Sequence, residues 1–195
     1  MTSTPIRLLS RWQNSAGERV RIALNLKGIA YSYVPVSSLP AGEYRRLSPQ
    51  GLLPAFDIGG RIVPQSSAIL DYLEETYPSP SLLPRDPLLR AEARGFTSLI
   101  ASEMHSITVQ RVRRFLQSDF DLDAAHVQHW VSHWLTLGLE ALEKTLRSRN
   151  GRFAFCFGEA GLGGPASRSP TQQRPPARLR SLGLSRTSHG RREMR

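Results

Sequence analysis

A single cysteine, Cys156, occurs in the 195 residues, which excludes an intramolecular disulfide, a CxxC redox pair and a zinc site built on thiolates. No run of about 18 apolar residues occurs, so no membrane-spanning helix is expected. The opening Met1-Thr2-Ser3-Thr4-Pro5 lacks a basic stretch followed by an apolar one, so a secretory signal is not expected either. A reducing, cytoplasmic compartment fits these absences. What is present is 39% hydrophobic residues, enough for a core and too many for a wholly disordered chain, at a length that suits one ordinary domain or two small ones.

The formal charge of +10 suggests a nucleic-acid binder until it is divided along the chain. Residues 1–158 carry 18 Lys+Arg against 14 Asp+Glu, whereas residues 159–195 carry 8 against 2. Most of the excess therefore belongs to the end of the chain. That end contains no Val, Ile, Phe, Trp or Tyr, and 22 of its residues are Arg, Gly, Pro or Ser. Such a segment cannot bury enough apolar surface to offset its ordering entropy, so residues 159–195 are expected to form a disordered basic tail. With no aromatic residue to stack on bases, the tail predicts no specific nucleic-acid partner.

The rest of the chain reads as alternating elements. Ile6 to Ser10 is a short strand. Ser15-Ala16-Gly17-Glu18 reads as a capping box with Ser15 as the cap. Val20, Ala23, Leu24 and Lys27 continue at helical spacing, and Gly28 supplies the stop. Tyr31 to Val36 alternates as a second strand. Gly42 to Leu47 suits a short helix and Ser48-Pro49-Gln50-Gly51 a turn. Pro54 to Ile58 and Arg61 to Val63 flank Gly59-Gly60 as a hairpin. Gln65-Ser66-Ser67 opens a helix that carries Ile69, Leu70, Tyr72 and Leu73 and ends before Pro78. Prolines 78, 80, 84 and 87 punctuate a linker. Leu88 to Phe115 lacks proline and has only Gly95, so one long helix is predicted there. A second long helix is predicted over Asp123–Arg149, with Val127, Trp130, Val131, Trp134, Leu135, Leu139 and Leu142 facing inward. The tryptophans at i,i+4 read as core packing.

Four stretches in register carry a resemblance. Arg19-Val20-Arg21-Ile22-Ala23-Leu24-Asn25-Leu26-Lys27-Gly28 resembles the first helix of zeta-class glutathione transferases, the group that includes maleylacetoacetate and maleylpyruvate isomerases. Ser48-Pro49-Gln50-Gly51-Leu52-Leu53-Pro54 is similar to the family's loop before its cis-proline. Gln65-Ser66-Ser67-Ala68-Ile69-Leu70-Asp71-Tyr72-Leu73-Glu74-Glu75 resembles its γ-glutamyl motif. Tyr77-Pro78 through Leu82-Leu83-Pro84 resembles its interdomain linker. The resemblance covers roughly residues 6–158. It implies an α/β thioredoxin-like domain (1–79), a linker (80–87) and an all-α domain (88–158), an incomplete glutathione transferase fold. It also implies glutathione as cofactor, a small acidic or electrophilic substrate, and a homodimer.

The implied chemistry has a physical cost. A thiol with a pKa near ~8.5 is only about 3% thiolate at pH 7. Lowering that pKa by about two units needs roughly 2.7 kcal/mol of selective stabilisation, which a helix N-terminus helps to supply. The resemblance places the sulfur at the start of the first helix, by Ser15 and Asn14. The thiolate would add to a cis double bond conjugated with a carbonyl, allow rotation, and leave. Leu53 and Pro54 would pair with the cysteinyl unit of glutathione, Gln65 and Ser66 would hold its γ-glutamyl carboxylate, and His105, facing the site from the long helix, would join them in binding glutathione. Gln13 and Arg111 would meet the substrate, with Arg113 and Arg114 on a solvated face.

The chain also departs from the family. Trp12-Gln13-Asn14-Ser15-Ala16-Gly17 stands where the family typically reads Trp-Arg-Ser-Ser-Cys-Ser. Gln13 replaces an arginine suited to a carboxylate, and Ala16 removes one side-chain donor. Past Gly158 the family's further helices give way to the basic tail, through a shift of reading frame near Ala160 or an acquired arm. Two functional outcomes are open: a glutathione-dependent isomerase or transferase, or a non-catalytic glutathione-binding or interaction protein disabled by Gln13, Ala16 and the lost helices.

Overall fold

The computed structural model describes residues 5–148. The first elements are β1 (Ile6–Ser10), α1 (Ser15–Leu26), β2 (Ser32–Pro35), α2 (Glu43–Leu47), β3 (Ala55–Ile58), β4 (Arg61–Pro64) and α3 (Ser66–Thr76). They make a four-stranded sheet of order β2-β1-β3-β4. β1 pairs parallel with β2 and antiparallel with β3, and β3 pairs antiparallel with β4. The expected β-α-β-α-β-β-α order is therefore present, and its sheet is thioredoxin-like.

The core reflects sequence periodicity. Leu8 from β1 and Phe56 from β3 project onto Val20, Ala23 and Leu24 of α1 and onto Ile69 and Leu73 of α3, all buried. The i,i+3,i+4 and i,i+4 spacings give each helix one apolar face against the sheet. α1 ends as its sequence demands: Gly28 adopts φ +66° and Ile29 N–H returns to the Leu24 carbonyl at 2.9 Å. That is the left-handed closure for which glycine is suited. Asp57, buried on β3, accepts from Arg7 directly across the antiparallel register and from Gly60 N–H in the β3–β4 turn.

The first helix is capped by Asn14, not Ser15. Asn14 Oδ1 accepts from Gly17 N–H at 2.6 Å while Ser15 is the first helical residue. The capping-box reading is one residue late, because Asn and Ser are almost equally good caps and adjacent candidates are indistinguishable in sequence.

A buried lysine joins the C-terminal end of α1 to the segment after α3. Lys27 Nζ donates to the carbonyls of Tyr77 (2.6 Å) and Pro80 (2.9 Å) and pairs with Glu74 Oε2 at 2.8 Å. Glu74 also accepts from the Ser81 hydroxyl and from Leu82 N–H. Burial alone would raise the Glu74 carboxyl, but Lys27, Ser81 and the Leu82 N–H outweigh it and hold the group below its ordinary value.

The helical part begins with α4 (Pro87–Ser98), capped by Asp86 through Leu89 N–H, with Pro87 in the first turn. It continues through a π-helical stretch, Leu99–His105, into the one-turn α5 (Ser106–Thr108). The single long helix expected over 88–115 is broken at Val109, which is extended at φ −68°, ψ 160°, before α6 (Gln110–Asp119) starts. No proline or glycine marks the break. Side chains satisfy the backbone instead: Thr108 Oγ1 donates to the Met104 carbonyl and Arg113 Nε to the Thr108 carbonyl.

α7 (Ala124–Ser148) packs on the π-helical stretch, α5 and α6. Val127, Val131 and Leu142 are buried as expected, and Trp130 Nε1 donates to the Ile107 carbonyl at 2.9 Å. Leu139 is not on the inner side; it is 54% exposed, and Gly138 instead meets Met104. Among the described residues, no helix is long and apolar enough to cross a membrane. The tail reading for 159–195 and the end of the 88–158 domain lie outside the described residues.

Candidate functional site

The start of α1 is held close under the end of β1. A Cβ on Gly17 would stand 2.1 Å from Ser10 Oγ and 2.9 Å from Asn14 Oδ1, so only glycine permits this approach. The Asn14 cap takes Gly17 N–H. The N–H groups of Ser15 and Ala16, the first two of the helix, have no intrahelical acceptor. Ala16 is buried and Ser15 is exposed.

Against this helix start lies the end of the π-helical stretch. His105 Nδ1 is 3.4 Å from Ser15 Oγ, so the sheet-bearing part and the helical part meet here through side chains 90 positions apart. The widened turn matters because π geometry shifts the rotational phase of the side chains after it, a feature often found at functional sites. Burial, then the positive charges of Arg19 and Arg111, hold the His105 imidazole below its ordinary pKa, so it is neutral at pH 7.

Arg19, one turn after Ser15 on α1, donates through Nη1 to Ser66 Oγ at 3.1 Å. Ser66 is the buried first residue of α3. Gln65, just before it, has φ +69° and donates through Nε2 to Gln50 Oε1 at 3.0 Å. Leu53-Pro54 is cis, with Pro54 buried and Leu53 half-buried, and the Tyr44 hydroxyl donates to the neighbouring Leu52 carbonyl at 2.6 Å.

The structure thus brings Ser15 and His105 together, and links Arg19 to Ser66 and Gln50 to Gln65. Asn14 serves as cap with its carbonyl oxygen turned inward. Arg111 reaches His105 only through its charge. Gln13 is exposed, and among the described residues no hydrogen bond ties it to the others. Sequence reasoning misses Arg19 and Gln50 as site residues. For Arg19 a signal exists: an i,i+4 position after Ser15 shares its helix face. Among the described residues, no group of three or more His, Cys, Asp or Glu is arranged to hold a metal ion.

Residues 10–81 match the family model for the glutathione S-transferase N-terminal domain. The chain is 35% identical to a maleylpyruvate isomerase of Ralstonia sp. over 156 residues, covering 77% of this chain and 74% of the relative. A solved maleylpyruvate isomerase, described as a bacterial glutathione transferase of the zeta class in its holo form, superimposes with a TM-score of 0.72 at 35% identity, covering 78% of this chain and 74% of its own. A maleylacetoacetate isomerase of Methylobacterium extorquens AM1, solved with bound malonate and glutathione, gives 0.70 at 39% identity, covering 79% and 74%.

Proposed function

Because this chain belongs to the zeta class of glutathione transferases, we propose that it is a glutathione-dependent cis–trans isomerase acting on a small unsaturated acid of the maleylpyruvate or maleylacetoacetate kind. The observation that carries the reading is the Ser15–His105 contact at 3.4 Å, formed at a helix N-terminus, with the positive charges of Arg19 and Arg111 acting on the ring. Such a place stabilises negative charge and holds an uncharged imidazole beside it.

The residues fit a tripeptide thiol. The Ser66 hydroxyl oxygen already accepts from Arg19, so its proton is available to an anionic group. Gln65 and the backbone at Leu53-Pro54 complete the set assigned to glutathione. When bound, glutathione supplies a thiolate that adds reversibly to the conjugated cis double bond. Ser15 Oγ and the N–H groups of Ser15 and Ala16 stabilise charge at the sulfur position, with the Asn14 amide beside them. The His105 ring, whose Nδ1 faces Ser15 Oγ, takes up and returns a proton at its unprotonated nitrogen. Arg111, with Gln13, is assigned to the substrate carboxylate.

A homodimer, a cytoplasmic location and the division into a glutathione-binding domain (1–79), linker (80–87) and helical domain (88–158) belong to the same proposal. The sheet with its two packed helices, and the helices after Pro87, support the division.

The test uses the full chain, reduced glutathione and maleylpyruvate, monitoring formation of the trans isomer. Turnover that requires glutathione is expected. Absence of both turnover and calorimetric glutathione binding would overturn the reading.

A further inference from the structure

The Arg19 guanidinium is half-buried, and that burial lowers its pKa while it remains a cation. Desolvating it is costly, and a helix-surface arginine serving only packing would point its head to water. Instead it spans two elements. Through Nη1 it meets Ser66 Oγ at 3.1 Å, at the start of α3, and its charge reaches His105 on the π-helical stretch.

We propose that Arg19 is the positioning residue that joins the two ends of the glutathione site, orienting the Ser66 hydroxyl as a donor to the γ-glutamyl carboxylate and presenting a fixed positive charge to the His105 ring that faces Ser15. This rests on the isomerase reading above. Arginine has donors and no acceptor, so a hydroxyl bound to it must accept, and its own proton is turned elsewhere. An anion at Ser66 then meets both an O–H donor and an adjacent cation, the stronger class of hydrogen bond.

At the other end, the charged groups acting on His105 are Arg19 from α1 and Arg111 from α6. α7 meets this segment through Gly138 at Met104 and Trp130 at the Ile107 carbonyl, neither of which titrates. In the tautomer with Nδ1–H donating to Ser15 Oγ, the Ser15 proton is free for the sulfur, and the neutral ring keeps Nε2 unprotonated as the base. A positive charge nearby favours that neutral form. One side chain therefore serves both recognition and the electrostatics of the reacting end.

Two variants separate these roles. Arg19→Met removes the charge and the donors but keeps an apolar stem. Arg19→Lys keeps the charge and loses the planar fork. The His105 ring titration is read by nuclear magnetic resonance in the ligand-free full chain, and glutathione affinity by calorimetry. The His105 midpoint is expected to move upward in Arg19→Met and to stay near wild type in Arg19→Lys. Glutathione affinity is expected to fall about tenfold or more in Arg19→Met. If Arg19→Met does not fold, Arg19→Gln, which removes the charge and keeps a polar side chain, takes its place with the same expected rise of the His105 midpoint and fall of affinity. An unmoved midpoint in folded Arg19→Met, or unchanged affinity in both variants, overturns the proposal. A wild-type chain that binds no glutathione instead fails the functional reading, whereas the His105 titration still decides the electrostatic half.

Discussion

Replacing Lys27 by Met tests whether a buried charge holds the first domain to the segment that leads into the helices. The Lys27 side chain is fully buried and its ammonium has three oxygen acceptors: the Tyr77 and Pro80 carbonyls and Glu74. Methionine fills similar volume, so the loss is electrostatic and not a cavity. Glu74, 16% exposed, would be left as a largely buried carboxylate without its cation, and two carbonyls would lose a donor. Breaking a buried pair by removing one partner costs about 3–5 kcal/mol. The Ser81 hydroxyl and Leu82 N–H still solvate Glu74, which sets the expectation near the lower end, about 3 kcal/mol. Urea unfolding at pH 7 measures it as a shift in midpoint at constant slope. The pH dependence is a second, independent reading. Glu74 is held below its ordinary value of 4.5, so its stabilisation is present above that value and is lost as the pH falls through the lower folded value. The gap between wild type and Lys27→Met should therefore narrow on acidification. A loss under about 1 kcal/mol, or a gap indifferent to pH, would refute the reasoning.

Three other outcomes are expected. Asn14→Ala should cost about 1 kcal/mol through the lost cap, whereas Ser15→Ala should leave stability nearly unchanged and lower glutathione-dependent turnover by about 10²–10³; thermal melts and steady-state rates on both variants check the division. Gly17→Ala should destabilise by roughly 1–3 kcal/mol through overpacking on Ser10, and Ser10→Ala should restore part of that loss in the double variant. His105 is held below its ordinary value of 6.5, so the unfolded chain binds a proton that the folded chain refuses. Stability should accordingly fall as the pH drops from about 6.5 toward the folded value, with a shallower fall in His105→Gln measured by denaturant titration.

The thioredoxin-like half is legible in the sequence because each of its elements has a local cause. Alternation marks the strands, Gly59-Gly60 the hairpin and Gly28 the end of α1, and the core residues recur at the period of their element. The cap is misplaced by one position since Asn14 and Ser15 offer the same chemistry. The break at Val109 is invisible in sequence because the nearby carbonyls are satisfied by Thr108 and Arg113, contacts that no single-residue preference encodes. Periodicity puts Leu139 inward, but the neighbours of α7 cover the face of Val131 and Gly138. In the site, Ser15, Ser66 and His105 come from the resemblance, while Arg19, though it opens the stretch that resembles the family's first helix, is given no role there. Its partners lie on other elements, and pairings across 47 or more positions are set by tertiary packing.

The widened coil of Leu99–His105 also has a bearing on how this site tolerates change. A π-helical stretch holds one more residue than an α-helix fitted to the same span. Deleting one residue there lets the backbone relax to ordinary pitch without losing its hydrogen bonds, and the residues on either side keep their bearing because only the surplus residue is removed. His105 lies at the end of that stretch and α4 at its start, so the imidazole is expected to stay opposite Ser15 after such a deletion, whereas the loss of one residue from an ordinary turn of α4 would swing everything downstream by about 100°. The segment thus buffers the facing of His105 and Ser15 against a change of length by one residue, separately from any substitution in the site itself.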